Sequence, residues 1–438
     1  MFIKDMISKL KFIADNPVLS GTFIVTIGVF LGSIFSYLLQ IGLGHLLSIE
    51  DFGTFNAFLS LSIIFGIPAG AIATSLIREV TKLLAQKNFY TLRKFFWNFT
   101  NLSLAFGMAI SLIFILLNNQ VSTYLNIDRT SVIYVFAIFL AFSFLNVATF
   151  SYLQGLLRFK AFAFLSLVSQ FLRLVIPLGL VYAGFAVAGA YAGLTVVGIL
   201  SFFVSILLLK KNFRVGLNPP QNLVDKKLTH LYRGLLLFSV PVFFINSGIT
   251  LLNNTDVVMV KHFFTPYDAG IYAGVVTMSK VFLFGASIVQ VVMFPQISHL
   301  YASSGNFKGR FLKFLSLQLL LIVGGILCYA IFPQAINSIM FRGKFTESVT
   351  YLPLFAVFVA FYILITFLSM FLLAINKTKA FLFIIPACVL QYILISFLHN
   401  NIYSIIKANI LSTGIACLFI TIYVVKSLHE GVDNHSSL

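Results

Sequence analysis

Asn253–Lys280, NNTDVVMVKHFFTPYDAGIYAGVVTMSK, reads as the end of one membrane-spanning helix, a tight hairpin and the first half of the next. The turn TPYDAG holds Pro266 and Gly270, both turn formers. Ionisable residues stand on either side of it where lipid is expected. Asp256 lies about one helical turn before Lys261, near one interface, and Lys280 lies ten residues past Gly270. Ten residues span about 15 Å, which places Lys280 near mid-bilayer. A charge there costs roughly 2.5–3.5 kcal/mol on insertion scales. A chain that keeps such charges turns them toward an interior path, and here that path is cationic.

The rest of the chain fits this frame. It is 438 residues long, 60% hydrophobic and only 9% charged, with a mean hydropathy of +1.01. A soluble chain would carry about 25% charged residues, so the composition describes a polytopic membrane protein. Apolar runs of crossing length fall at about 21–47, 54–76, 97–117, 131–153, 161–182, 188–209, 234–260, 268–294, 312–332, 350–373, 380–398 and 402–425. They are continuous rather than alternating, which excludes barrel strands and predicts twelve transmembrane helices. Of the 29 Lys and Arg residues, 22 fall on one side of this topology and 4 on the other. Arg173, Lys280 and Lys407 remain inside spans. The asymmetry puts both termini in the cytoplasm. It also accounts for most of the +17 net charge, which, scattered over short loops, gives no reason to expect nucleic acid as a partner. The three cysteines lie inside spans and the seven histidines show no ligand spacing, so neither a disulfide framework nor a metal or cofactor is expected.

The sequence repeats. LSIEDFGTFNA (47–57) aligns with FTPYDAGIYAG (264–274) at an offset of 217, pairing Asp51 with Asp268, Gly53 with Gly270 and Phe55 with Tyr272. LQGLLRFKAFAF (153–164) aligns with LLAINKTKAFLF (372–383) at an offset of 219. Two matches at nearly one offset imply duplication of a six-span unit. Six is even, so the repeats lie parallel, with a substrate site expected between them. The expected organisation is an amphipathic cytoplasmic-face helix at 1–17 and a first six-helix bundle at 18–209. A linker at 210–233, a second bundle at 234–425 and a cytoplasmic tail at 426–438 follow. No small-residue cleavage site follows residues 1–17, so the first span is expected to be retained. Gly66-Ile-Pro68, Pro177, Pro241 and Pro386 are expected to loosen their helices.

LLSIEDFGTF after span 1, DVVMVKHFFTPYDAGIYA across spans 7 and 8, and QGLLRFK after span 4 carry a family likeness. They resemble the polysaccharide-exporter arm of the multidrug/oligosaccharidyl-lipid/polysaccharide flippase superfamily, the O-antigen (Wzx-type) flippases. The loop after span 2, REVTKLLAQKNFYTLRKFF, lacks the charged pattern of the major facilitator group. The resemblance implies a V-shaped pair of bundles around a central cavity. It implies alternating access that carries an undecaprenyl-diphosphate-linked oligosaccharide from the inner to the outer leaflet of a bacterial inner membrane. A coupling ion, H⁺ or Na⁺, is left open, as is contact with other polysaccharide-assembly membrane proteins. The turn residues Asp51, Gly53, Asp268, Gly270 and Tyr272 read as structural.

Five residues are candidates for substrate contact. Lys280 is too deep to snorkel, and an ammonium suits phosphate; internal pairing with Asp256 is the alternative. Arg173 sits about 20 Å in from the cytoplasmic end of span 5 and can grip oxyanions bidentately. Asp256 can bind a coupling proton or Na⁺, or pair with a cation, or be hydrated at the interface. Lys407 can reach the outer interface by snorkelling. Arg78 ends span 2 at the cytoplasmic face, where a solvated helix end competes with an entry contact. A drug or cation antiporter of the same superfamily is the competing function, and it favours anionic cavity residues. A membrane enzyme needs paired catalytic groups, and none is visible.

Overall fold

A computed structural model describes residues 17–213, 240, 243–303, 305–377 and 379–433. The expected amphipathic helix, most of the expected linker and Pro241 lie outside them. Among the described residues every regular element is helical: α1 Pro17–Leu46, α2 Ile49–Phe65, α3 Ile67–Ala85, α4 Phe89–Leu116, α5 Asn118–Tyr124, α6 Thr130–Ser143, α7 Leu145–Gly155, α8 Phe159–Leu180 and α9 Ala186–Phe213 in the first half. The second half holds α10 Phe243–Leu252, then α11 Thr255–Phe263, α12 Pro266–Ala302, α13 Phe307–Ile331, α14 Pro333–Phe341, α15 Ser348–Ala374, α16 Phe381–Phe397 and α17 Ile402–Asp433. Helix stands at each of the twelve expected crossings. Among the described residues seven stretches, one of them the 52-residue run Phe159–Lys210, are long and apolar enough to cross a membrane, and a bent pair adds an eighth. Shorter apolar helices at Phe30–Leu46, Phe243–Leu252 and Phe381–Phe397 occupy the remaining places, which is compatible with twelve crossings.

Span 2 breaks where expected. α2 and α3 meet at Gly66 with a bend of 43°, because Pro68 offers no amide hydrogen to the preceding turn. Pro177 and Pro386, by contrast, sit inside helices that continue through them. Spans 5 and 6 are joined by a single π turn, Val181–Phe185, in which Gly184 takes φ +93°, a backbone angle glycine adopts without steric cost.

The chain divides into two compact units. The first takes in α1, α3 from Pro68 onward and α4–α9; the second takes in α2, the segment Tyr124–Ile127 and α10–α17. In the first unit Leu76, Phe95, Phe96, Tyr152 and Leu165 form part of a buried core near the α7–α8 turn. The Tyr152 hydroxyl there donates to the Leu92 carbonyl at 3.0 Å. In the second unit α15 is buried along most of its length, with Ile365, Phe367, Phe371 and Leu372 at the centre of the core. A helix apolar all round is the expected centre of a bundle.

The repeated motifs fold alike. Ser48 caps α2 by accepting from the Asp51 amide at 3.1 Å, and Thr265 caps α12 by accepting from the Asp268 amide at 3.2 Å. Each is a Ser/Thr cap with an acid three residues on, which satisfies orphan amides at a helix start. The glycine two residues later is needed for a close approach within the second unit. A Cβ on Gly53 would stand 2.6 Å from the Gly270 nitrogen, and one on Gly270 would stand 2.0 Å from the Ile49 carbonyl oxygen. The second repeated motif also shares its backbone. Leu157 (φ +57°... a left-handed residue) and Asn376 (φ +61°) are 219 apart and hold the same left-handed position. Arg158 and Lys377, next in line, each donate to a carbonyl five residues back, at 2.9 and 2.8 Å, which closes both helices with the same Schellman-type turn.

Candidate functional site

The opening stretch holds a buried polar network in the second unit. Span 7 does not run through as one helix; it stops at Leu252 and restarts at Thr255. The turn is Asn253-Asn254, a residue type whose side chain competes for backbone bonds; Asn254 Nδ2 donates back to the Thr250 carbonyl at 2.8 Å. The restart puts Asp256 in the first turn of α11, where a carboxylate is favoured by the helix dipole. Asp256 is only 1% exposed. Of the readings open for Asp256, this excludes the hydrated interfacial acid: α12 and α17 supply polar partners that water would otherwise supply.

Tyr272 of α12 and Asn409 of α17 donate to the carboxylate, and Gln391 of α16 donates in turn to Asn409. Asp256 Oδ1 accepts from the Val257 amide at 2.9 Å. Oδ2 accepts from the Tyr272 hydroxyl at 2.5 Å and from Asn409 Nδ2 at 2.9 Å. Asn409 Nδ2 also donates to the Tyr272 oxygen at 3.0 Å, and Asn409 Oδ1 accepts from Gln391 Nε2 at 2.9 Å. Gln391 Nε2 further donates to the Leu252 carbonyl at 3.1 Å, at the helix break, while Gln391 Oε1 is buried without a donor. A shell made only of donors suits an ionised acid. Lys280, eight residues past Tyr272 on α12 and so about 12 Å along the helix, lies within electrostatic reach of Asp256.

The first unit holds a second polar site. Arg173, on α8, opens onto a cavity of about 260 Å³ between α6, α7, α8 and α9. Its lining includes Asn146, Ser169, Gln170 and Ser201 with Phe139, Phe142 and Phe150. Asn146 Nδ2 donates to the Gly198 carbonyl at 2.9 Å, and its Oδ1 is buried without a donor. The Ser169 and Ser201 hydroxyls bond each other at 2.7 Å. Gln170 Oε1 accepts from Ser36 at 3.1 Å.

Of the five expected contacts, Asp256 lies in the buried network of the second unit, Lys280 stands further along α12 within reach of its field, and Arg173 lines the cavity of the first. Lys407 is exposed; two residues from Asn409, it points to the other side of α17. Arg78 is exposed near the end of α3, beside the buried Glu79, whose partner is Lys82 at 2.7 Å. Tyr272 is more than a turn residue, and Asn409 and Gln391 were not anticipated. The repeat offsets mark all three. Asp256, Tyr272, Gln391 and Asn409 correspond to Leu39, Phe55, Leu172 and Ala190 in the first copy. In reverse, Asn146, Ser169, Gln170 and Arg173 correspond to Ile365, Cys388, Val389 and Tyr392. Each copy builds similar helices without the other's polar groups, so neither set is required by the helical pattern. Among the described residues no three His, Cys, Asp or Glu side chains are grouped to hold a metal.

The profile of a family described as "Polysaccharide biosynthesis protein" matches residues 18–301. The chain belongs to that family. No curated protein matches it. Solved structures share its fold. An inward-facing multidrug resistance MATE family transporter of the MOP superfamily superposes with a TM-score of 0.70 at 11% identity, covering 90% of this chain and 95% of its own. The lipid II flippase MurJ, in an inward closed conformation, gives 0.69 at 14% identity, covering 92% and 87%. A MOP superfamily transporter from Pyrococcus furiosus, whose binding pocket is described as of reverse polarity, gives 0.53 at 13%, covering 94% and 96%. The chain is thus an all-helical, multi-pass membrane protein of the MOP transporter fold.

Proposed function

We propose that this chain is a flippase that carries an undecaprenyl-diphosphate-linked oligosaccharide from the cytoplasmic to the outer leaflet of a bacterial inner membrane, with both termini cytoplasmic. The observation that carries the reading is Arg173. It is a guanidinium within a membrane span, with no hydrogen bond or ion pair to any described residue, beside a polar cavity that contains no acid. An anion is the ligand such a group lacks. Family membership supplies the saccharide. The membrane potential agrees in sign, since moving negative charge outward is favourable by about 2.3 kcal/mol per charge per 100 mV.

The Asp256 network is the coupling site in this reading. A buried carboxylate ringed by donors changes its partners when it takes up H⁺ or Na⁺, and Lys280 feels that change in charge. The antiporter alternative asks Asp256 to meet a bulky organic cation. At 1% exposure and already bonded to Tyr272 and Asn409, it is closed to one. A strain lacking the chain should accumulate lipid-linked glycan intermediates and lose surface glycan. The double variant Arg173→Ala/Lys280→Ala should reach the membrane at normal levels and fail to restore export. Full restoration by that variant rejects the assignment.

A further inference from the structure

We propose that the cavity of the first unit is a subsite for one acidic sugar of the transported glycan, a hydroxylated ring bearing a single carboxylate. The inference rests on the flippase reading and deepens it. The first argument is charge. Arg173 is the one charged residue lining the cavity. A monocarboxylate meets it one to one, in the bidentate geometry a guanidinium fork prefers. A diphosphate would bring surplus negative charge into a low-dielectric site with nothing to offset it.

The second argument is hydrogen-bond polarity. Asn146 Oδ1 is a buried acceptor with no donor. Phosphate oxygens only accept, whereas a sugar hydroxyl donates, so a sugar completes the site and an ionised phosphate leaves it incomplete. Gln170, with its oxygen already taken by Ser36, has its amide hydrogens to offer a ring oxygen or hydroxyl. The third argument is size and shape. At about 260 Å³, the cavity falls just under the roughly 300–1,000 Å³ of pockets for drug-sized ligands. It suits one ring rather than a whole repeat unit, and Phe139 and Phe150 supply apolar wall for the ring's C–H face. The second copy, with Tyr392, Val389 and Ile365 at the matching places, has no such set.

The test is ligand-observed NMR on the full-length protein in nanodiscs, with glucuronic acid, glucose and inorganic pyrophosphate as probes. Glucuronic acid should bind at least tenfold more tightly than glucose. Arg173→Gln should weaken it at least tenfold and Asn146→Leu severalfold, with both variants melting near the parent temperature. Arg173→Lys, which keeps the charge, should recover part of the binding and serves if Arg173→Gln does not fold. Equal binding of glucose and glucuronic acid, tighter binding of pyrophosphate through Arg173, or no binding of glucuronic acid each overturns the proposal. Accumulation of intermediates in the deletion strain is scored separately. The flippase reading therefore stands or falls without reference to these probes.

Discussion

Phe55 and Tyr272 hold matching places in the two copies, and the hydroxyl that separates them reaches Asp256 at 2.5 Å. The pair makes a controlled experiment already present in the chain, because a phenyl ring is tolerated at the first place. Tyr272→Phe should cost about 1–3 kcal/mol, the range for stripping a hydrogen bond from a buried charged group. In an export assay it should reduce transport without removing the protein from the membrane. A variant with unchanged melting temperature and unchanged export would deny the hydroxyl any role. Asp256, Lys280 and Arg173 were legible in the sequence because charge within an apolar run is conspicuous. Gln391 and Asn409 were not, since an uncharged amide in a span reads as an ordinary interhelical bond. Only the comparison with Leu172 and Ala190, position by position, separates them from that background.

Helix ends were more legible than helix interiors. Pro266, the paired acids Asp51 and Asp268, and the paired glycines Gly53 and Gly270 marked the two repeated motifs, and the structure adds the Ser48 and Thr265 caps and the reason for the glycines. Their backbones touch, so Gly270→Ala should force a Cβ into the Ile49 carbonyl and cost about 3 kcal/mol, at the upper end for overpacking. Thermal unfolding in detergent should fall sharply, and an unshifted transition would mean that the helices can part without penalty. The left-handed turn residues make the opposite prediction. Asn376 suits its φ of +61°, but Leu157 does not suit its φ of +57°. Leu157→Asn should stabilise the chain by about 0.5–1 kcal/mol, since a branched aliphatic residue pays roughly 1–2 kcal/mol in that region; a lower melting temperature would contradict it. The break in span 7 was hidden because no proline or glycine marks Leu252–Thr255. Two asparagines make the stop there, through a side chain that bonds back to the Thr250 carbonyl.

Across the whole molecule, duplication supplied a fold twice and left each copy free to carry a different polar insertion: a cation and hydroxyls in the first, an acid, an amide pair and a phenol in the second. The repeat was legible because capping and turn chemistry tolerate little variation. The division of polar labour was not, because it appears only when the interiors are placed in register. If the second copy's network serves transport rather than folding, it can be erased with the first copy's own residues. Asp256→Leu, Tyr272→Phe, Lys280→Ile and Asn409→Ala together install the counterparts Leu39, Phe55, Ile63 and Ala190. Replacing a buried ionic cluster by apolar side chains is commonly neutral or stabilising by about 1–4 kcal/mol, so the quadruple variant should melt at or above the parent temperature while exporting no glycan. Single removal of Asp256 should be less stable than the quadruple change, because it takes the buried acceptor away from the Tyr272 hydroxyl and Asn409 Nδ2 while leaving both in place. If the quadruple variant instead unfolds at a markedly lower temperature, the network holds the second bundle together, and the loss of export would follow from that alone.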